Sequence, residues 1–83
     1  MYYGGDSMVV KELKELFERE HEVKFKLYSL EYVIKEMDNK IAVYPILYET
    51  KKNLFNSFED ALNNYTVYNE SIIDNINRII IIK

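Results

Sequence analysis

From Val23 to Leu47 apolar residues recur at every second position, at Val23, Phe25 and Leu27, then Tyr32 and Ile34, then Ile41 and Val43. A period of two is the mark of half-buried strands, so this stretch predicts a three-stranded antiparallel meander. Asp38-Asn39 suits its second turn, because both residues tolerate left-handed backbone. A two-residue loop there sets Ile34 opposite Val43 and Glu36 opposite Ile41. A first loop at Ser29-Leu30, a weak pair for a primed turn, sets Phe25 opposite Ile34 and Leu27 opposite Tyr32. Both registers gather the seven apolar residues on one face. A slip of one residue would turn a whole strand's set to solvent, so that face is the expected core.

Before the meander, Val9, Leu13, Leu16 and Phe17 follow three- and four-residue steps, predicting an amphipathic helix over Met8–Glu20 with its stripe on the core face. Glu15 and Arg19 are spaced for an ion pair on its outside. After the meander, Pro45 cannot donate to a ladder and ends regular pairing or marks an edge. Ile46, Leu47 and Tyr48 either continue the strand with a bend or form a short fourth strand, and Glu49 to Asn56 reads as a loop. Ser57 is a good N-cap for a short helix from Phe58 to about Asn64, with Phe58, Ala61, Leu62 and Tyr65 inward. Thr66, Val67 and Tyr68 read as extended. Asn69-Glu70-Ser71 then caps a last helix lined by Ile72 or Ile73, Ile76 and Ile79 or Ile80.

The run Ile79-Ile80-Ile81-Ile82 is harder to assign. Four β-branched residues suit a strand, yet a short strand needs an edge to pair with, and the preceding isoleucines keep helical spacing. The expectation is a helix through about Ile79 and a packed tail, buried in the domain or in a homo-oligomeric contact through Ile79, Ile80, Ile81 and Ile82. The fold class is therefore α+β: an N-terminal helix, a three-stranded antiparallel meander with room for a fourth strand, and two short C-terminal helices on one sheet face.

Composition narrows this without changing it. With 83 residues, 48% hydrophobic and 30% charged, the chain has the size and balance of one globular domain, here residues 8–83. Met1–Ser7 has no periodicity and holds both glycines. It is read as a disordered leader. Gly4-Gly5-Asp6 can be spelled by codons that form a bacterial ribosome-binding sequence, which would place the true start at Met8. A net charge of −3 argues against a dedicated duplex-DNA binder. The lack of cysteine removes disulfides, thiolate nucleophiles and cysteine zinc sites. With no signal peptide and no apolar run of membrane-spanning length, a cytoplasmic, non-membrane protein is expected.

No catalytic, cofactor-binding or metal-binding motif emerges. His21 is the only histidine, and Glu20 and Glu22 beside it point in different directions at a helix-to-strand junction. The informative surface is the face of the meander away from the core. It carries Lys24, Lys26 and Tyr28, then Glu31, Val33, Lys35 and Met37, then Lys40, Ala42 and Tyr44. Lysine and tyrosine are ordinary on a solvated sheet face. The expectation is a non-enzymatic interaction or regulatory accessory module with a protein partner. The alternative is single-stranded nucleic acid, with bases stacked on Tyr28 and Tyr44 and phosphates along the lysines.

Overall fold

The computed structural model describes residues 8–82, so the expectations for the leader lie outside the described residues. Helix α1 (Met8–Glu20) buries Leu13 and Phe17, while Val9, Val10 and Leu16 pack half-buried against the same core. Arg19 contacts Glu20 at 3.5 Å in place of the expected Glu15. His21 ends the helix in the left-handed region at φ 62°, its N–H donating to the Phe17 carbonyl. That one residue turns the chain from helix into sheet.

The meander follows as β1 (Glu22–Leu27), β2 (Leu30–Met37) and β3 (Lys40–Pro45). Its second turn is the expected one: Asp38 and Asn39 both have positive φ, and Ile34 lies opposite Val43. The first turn differs. Tyr28-Ser29 occupies it, so Phe25 lies opposite Tyr32 and Val23 opposite Ile34, two residues away from the expected register. A shift of two preserves the faces, and Val23, Phe25, Leu27, Tyr32, Ile34, Ile41 and Val43 all enter one buried cluster.

Two further strands complete the sheet. After a 3₁₀ turn at Glu49–Lys51, β4 (Asn53–Phe55) pairs with β3, in a segment expected to be loop. Ile46 to Tyr48, where a fourth strand had been one reading, is instead the turn leading there. Helix α2 (Phe58–Asn64) starts where expected, with the Ser57 hydroxyl accepting from the Asp60 N–H at 3.0 Å. A small hairpin, β5 (Thr66–Val67) and β6 (Glu70–Ser71), turns through Tyr68 and Asn69, both at positive φ.

The last predicted helix is a 3₁₀ helix (Ile73–Arg78), and Ile80–Ile82 form β7 rather than a packed tail. The strand finds its edge on β1, with Ile81 opposite Phe25. The β-branched chemistry of the run decides the outcome once β1 offers unpaired backbone groups. The result is an α+β domain with a five-stranded antiparallel sheet ordered β4-β3-β2-β1-β7. Both α-helices and the 3₁₀ helix lie on its inner face. There Phe17 of α1 and Phe58 of α2 meet at 4.8 Å, and Lys14 bridges to Glu59 at 3.2 Å. The Glu59 carboxyl is held below its usual range by a backbone hydrogen bond first and by Lys14 second.

Candidate functional site

The outer sheet face can be read as rows across the strands. One row runs Lys24, Val33, Tyr44, and the next Glu22, Lys35, Ala42, Leu54. Lys26 stands opposite Glu31, and Lys40 opposite Met37. Glu22 was not expected on this face. Its presence means that two glutamates, each directly opposite a lysine, face the four lysines, and Glu22 also lies 3.9 Å from Lys24. Lys40 donates instead to the side chain of Asn56 at 2.6 Å. The lysines thus form no continuous cationic track.

The two tyrosines of the expected face are placed differently. Tyr28, at the turn, swings out of the alternation, and its hydroxyl donates to Asn75 in the 3₁₀ helix on the inner side of the sheet. Tyr44 does lie on the outer face but is only 7% exposed. It forms a second small apolar cluster with Val33, 4% exposed, and Ala42, against which Met37 and Ile46 pack. A stacking platform needs an accessible ring, which neither tyrosine presents above the lysines.

The exposed apolar surface lies at the end of this face. The Tyr28-Ser29 turn and the turn that follows β3 flank a groove of about 330 Å³, lined by Ser29, Leu30, Glu31, Pro45, Ile46, Leu47 and Tyr48. Its construction follows from Pro45. The strand stops there, Ile46 still donates its N–H to the Glu31 carbonyl at 2.9 Å, and Tyr48 closes the turn on the Pro45 carbonyl at 2.8 Å. Leu47 is left at the tip, 80% exposed, beside half-exposed Tyr48 and Leu30. The Lys51 ammonium stands 5.5 Å from the Tyr48 ring centre. The signal for this site was present in the sequence as three successive apolar residues after a proline, Ile46-Leu47-Tyr48, which cannot all turn inward.

Elsewhere the His21 imidazole Nδ1 lies 2.9 Å from Glu36 Oε1 on the surface, clipping the helix end to β2. Among the described residues no three His, Asp or Glu side chains converge in a group able to hold a metal ion. No described helix is long and apolar enough to cross a membrane. No family model, curated protein or solved structure matches the chain. The functional argument rests on the surface itself.

Proposed function

We propose that the protein is a small non-enzymatic module of the cytoplasm, a regulatory accessory protein or a subunit of a larger assembly. It binds a protein partner through the groove at the end of the sheet and the adjoining outer face. The observation that supports this reading is Leu47, projected by the post-proline turn beside Leu30 and Tyr48. Adjacent exposed apolar side chains that include an aromatic ring resemble the centre of an interface, where a few desolvated anchors carry most of the binding energy. Ile46 joins the groove to the Val33, Ala42 and Tyr44 cluster, so the anchors stand on a packed base. Among the described residues that line the groove, Glu31 and Tyr48 alone are ionisable, which suits a rim of polar contacts around an apolar centre.

The test is affinity capture from an extract of the source organism with three baits: wild type, Leu47→Asp, and the fourfold Lys24, Lys26, Lys35, Lys40→Gln variant. A partner held by the wild type and the glutamine variant but lost with Leu47→Asp supports the groove. Equal capture by Leu47→Asp refutes it. In parallel, a single-stranded oligonucleotide is titrated at low and physiological salt. Micromolar binding at physiological salt that disappears in the glutamine variant would establish the nucleic-acid alternative instead.

A further inference from the structure

We propose that the partner segment filling the groove is acidic, with apolar anchors at its centre and carboxylates on both sides. This rests on the groove being the contact site and adds the chemistry that the site selects. The charge of the chain is unevenly divided. On the outer face the strands place Lys24, Lys26, Lys35 and Lys40 with Glu22 and Glu31. Lys52 joins them, because it is extended and stands two positions before Leu54, which lies opposite Ala42 on that face. Five lysines against two glutamates leave this face at +3 in a chain whose net charge is −3, so everything else together carries −6. An acidic segment is therefore drawn to the outer face and turned away from the rest of the surface.

The lysines that flank the groove have no acid partners of their own. Lys26 lies opposite Glu31 in register, and Lys51 and Lys52 follow the groove residue Tyr48 by three and four positions, yet none of the three forms an ion pair among the described residues. Lys51 stands instead over the Tyr48 ring. Glu31 and Glu49 are the acids near them, so three lysines meet two glutamates and the balance stays positive.

The layout of the sheet fixes how the charges and anchors are spaced. Lys26 belongs to β1 and Lys52 leads into β4, three strand spacings away, or about 14 Å. Leu30 of β2 and the turn after β3, which carries Leu47 and Tyr48, lie between them. An extended segment crosses that distance in about four residues and a helix in about nine, with its middle over the leucines. A nucleic-acid strand shares the sign of charge, but the exposed leucines offer nothing to phosphates. The anchors hold the segment, and the lysines, as rim charges, select it.

The test is an unbiased selection. The immobilised full chain is offered random displayed peptides of about twelve residues, long enough for either crossing, and the most enriched are synthesised and titrated. They should combine Leu, Phe or Trp with Asp or Glu and be net negative. Their affinity should fall at least about tenfold with Leu47→Asp and at least about fivefold with the exposed Lys26, Lys51, Lys52→Gln variant, the second loss shrinking as salt rises. Circular dichroism should show both variants folded. Enriched peptides that are neutral or basic, or that ignore the glutamine variant, yet are lost with Leu47→Asp, overturn this inference and leave the groove standing. Binders indifferent to Leu47→Asp, or none at all, remove the groove reading and this inference with it. Displacement of the peptides by a single-stranded oligonucleotide at physiological salt overturns it too, and assigns the surface to nucleic acid.

Discussion

The Tyr28 hydroxyl donates a 3.0 Å hydrogen bond to Oδ1 of Asn75, 47 positions further along the chain. Asn75 is the one fully buried polar side chain among the described residues. Its amide donates to the Ser71 carbonyl at 3.0 Å, and its oxygen also accepts from Arg78 at 3.2 Å. This side chain fastens the first turn of the meander to the 3₁₀ helix. Tyr28 is held there on its other side by an edge-to-face contact with Tyr68 at 5.3 Å.

Asn75→Leu should therefore cost about 2–3 kcal/mol, because it leaves the half-buried Ser71 carbonyl without its amide donor and removes the acceptor for Tyr28 and Arg78. Tyr28→Phe should cost only about 1 kcal/mol, since Arg78 still satisfies the asparagine oxygen. Urea unfolding of both single variants and the double variant checks the ordering. A double variant costing the full sum of the two would show that the residues act independently.

Ile34 is fully buried between Val23 and Val43, whereas Lys35 points to the outer face. Ile34→Asp places an unpaired carboxylate in the core, and because small domains have a total stability of only about 5 kcal/mol, it should abolish cooperative unfolding. Lys35→Asp should remain folded. Thermal melts that show equal damage from both would contradict the assignment of faces.

Six described residues other than glycine occupy positive φ: His21, Tyr28, Asp38, Asn39, Tyr68 and Asn69. Asp-Gly is the favoured pair for a turn with two such residues. Asn39→Gly, at φ 66°, should raise stability by about 0.5 kcal/mol as relief of left-handed strain exceeds the added entropy of the unfolded chain. An unchanged or lowered melting temperature would show that the asparagine side chain contributes more than its backbone costs.

Burial, reinforced by the charge of Tyr32, pushes the Tyr65 phenol from 10.0 up to about 12, and burial likewise raises Tyr32. The folded state keeps these protons longer than the unfolded state does. Their contribution to stability is complete below pH 10 and is lost as pH rises from about 10 to about 12, at up to about 1.4 kcal/mol per pH unit for Tyr65. Unfolding titrations across that window should show Tyr65→Phe losing less stability than the wild type. Parallel losses would show that Tyr65 ionises alike in both states.

The inner face of the meander was legible because alternation is a local property, and α1 because its stripe is. The register of the first hairpin was not. No glycine or asparagine marks that turn, and its geometry is fixed by Tyr28 reaching a residue far along the chain. The same contact removed Tyr28 from the outer face, where alternation had put it. β4 and β7, three residues each, are too short to show a period, and their conformation is dictated by the edges that β3 and β1 present. For the candidate site, Val33, Met37 and Tyr44 were correctly placed on the outer face, but Tyr44 and Val33 prove covered. The groove depends on how the chain folds back after Pro45, which composition does not encode.

β1 lies between an early neighbour and a late one. Lys26 is opposite Glu31, five positions on, and also opposite Ile80, 54 positions on. During synthesis the helix and the meander can assemble as soon as they leave the ribosome, since their contacts are local. The outer side of β1 must wait. Until Ile80–Ile82 emerge, a nascent chain leaves the edge of β1 from Lys24 to Lys26 unpaired, with Phe25 at its middle, which is the kind of surface that aggregates or recruits chaperones. Premature termination before Ile79 would thus leave a nearly complete domain arrested in its most adhesive form.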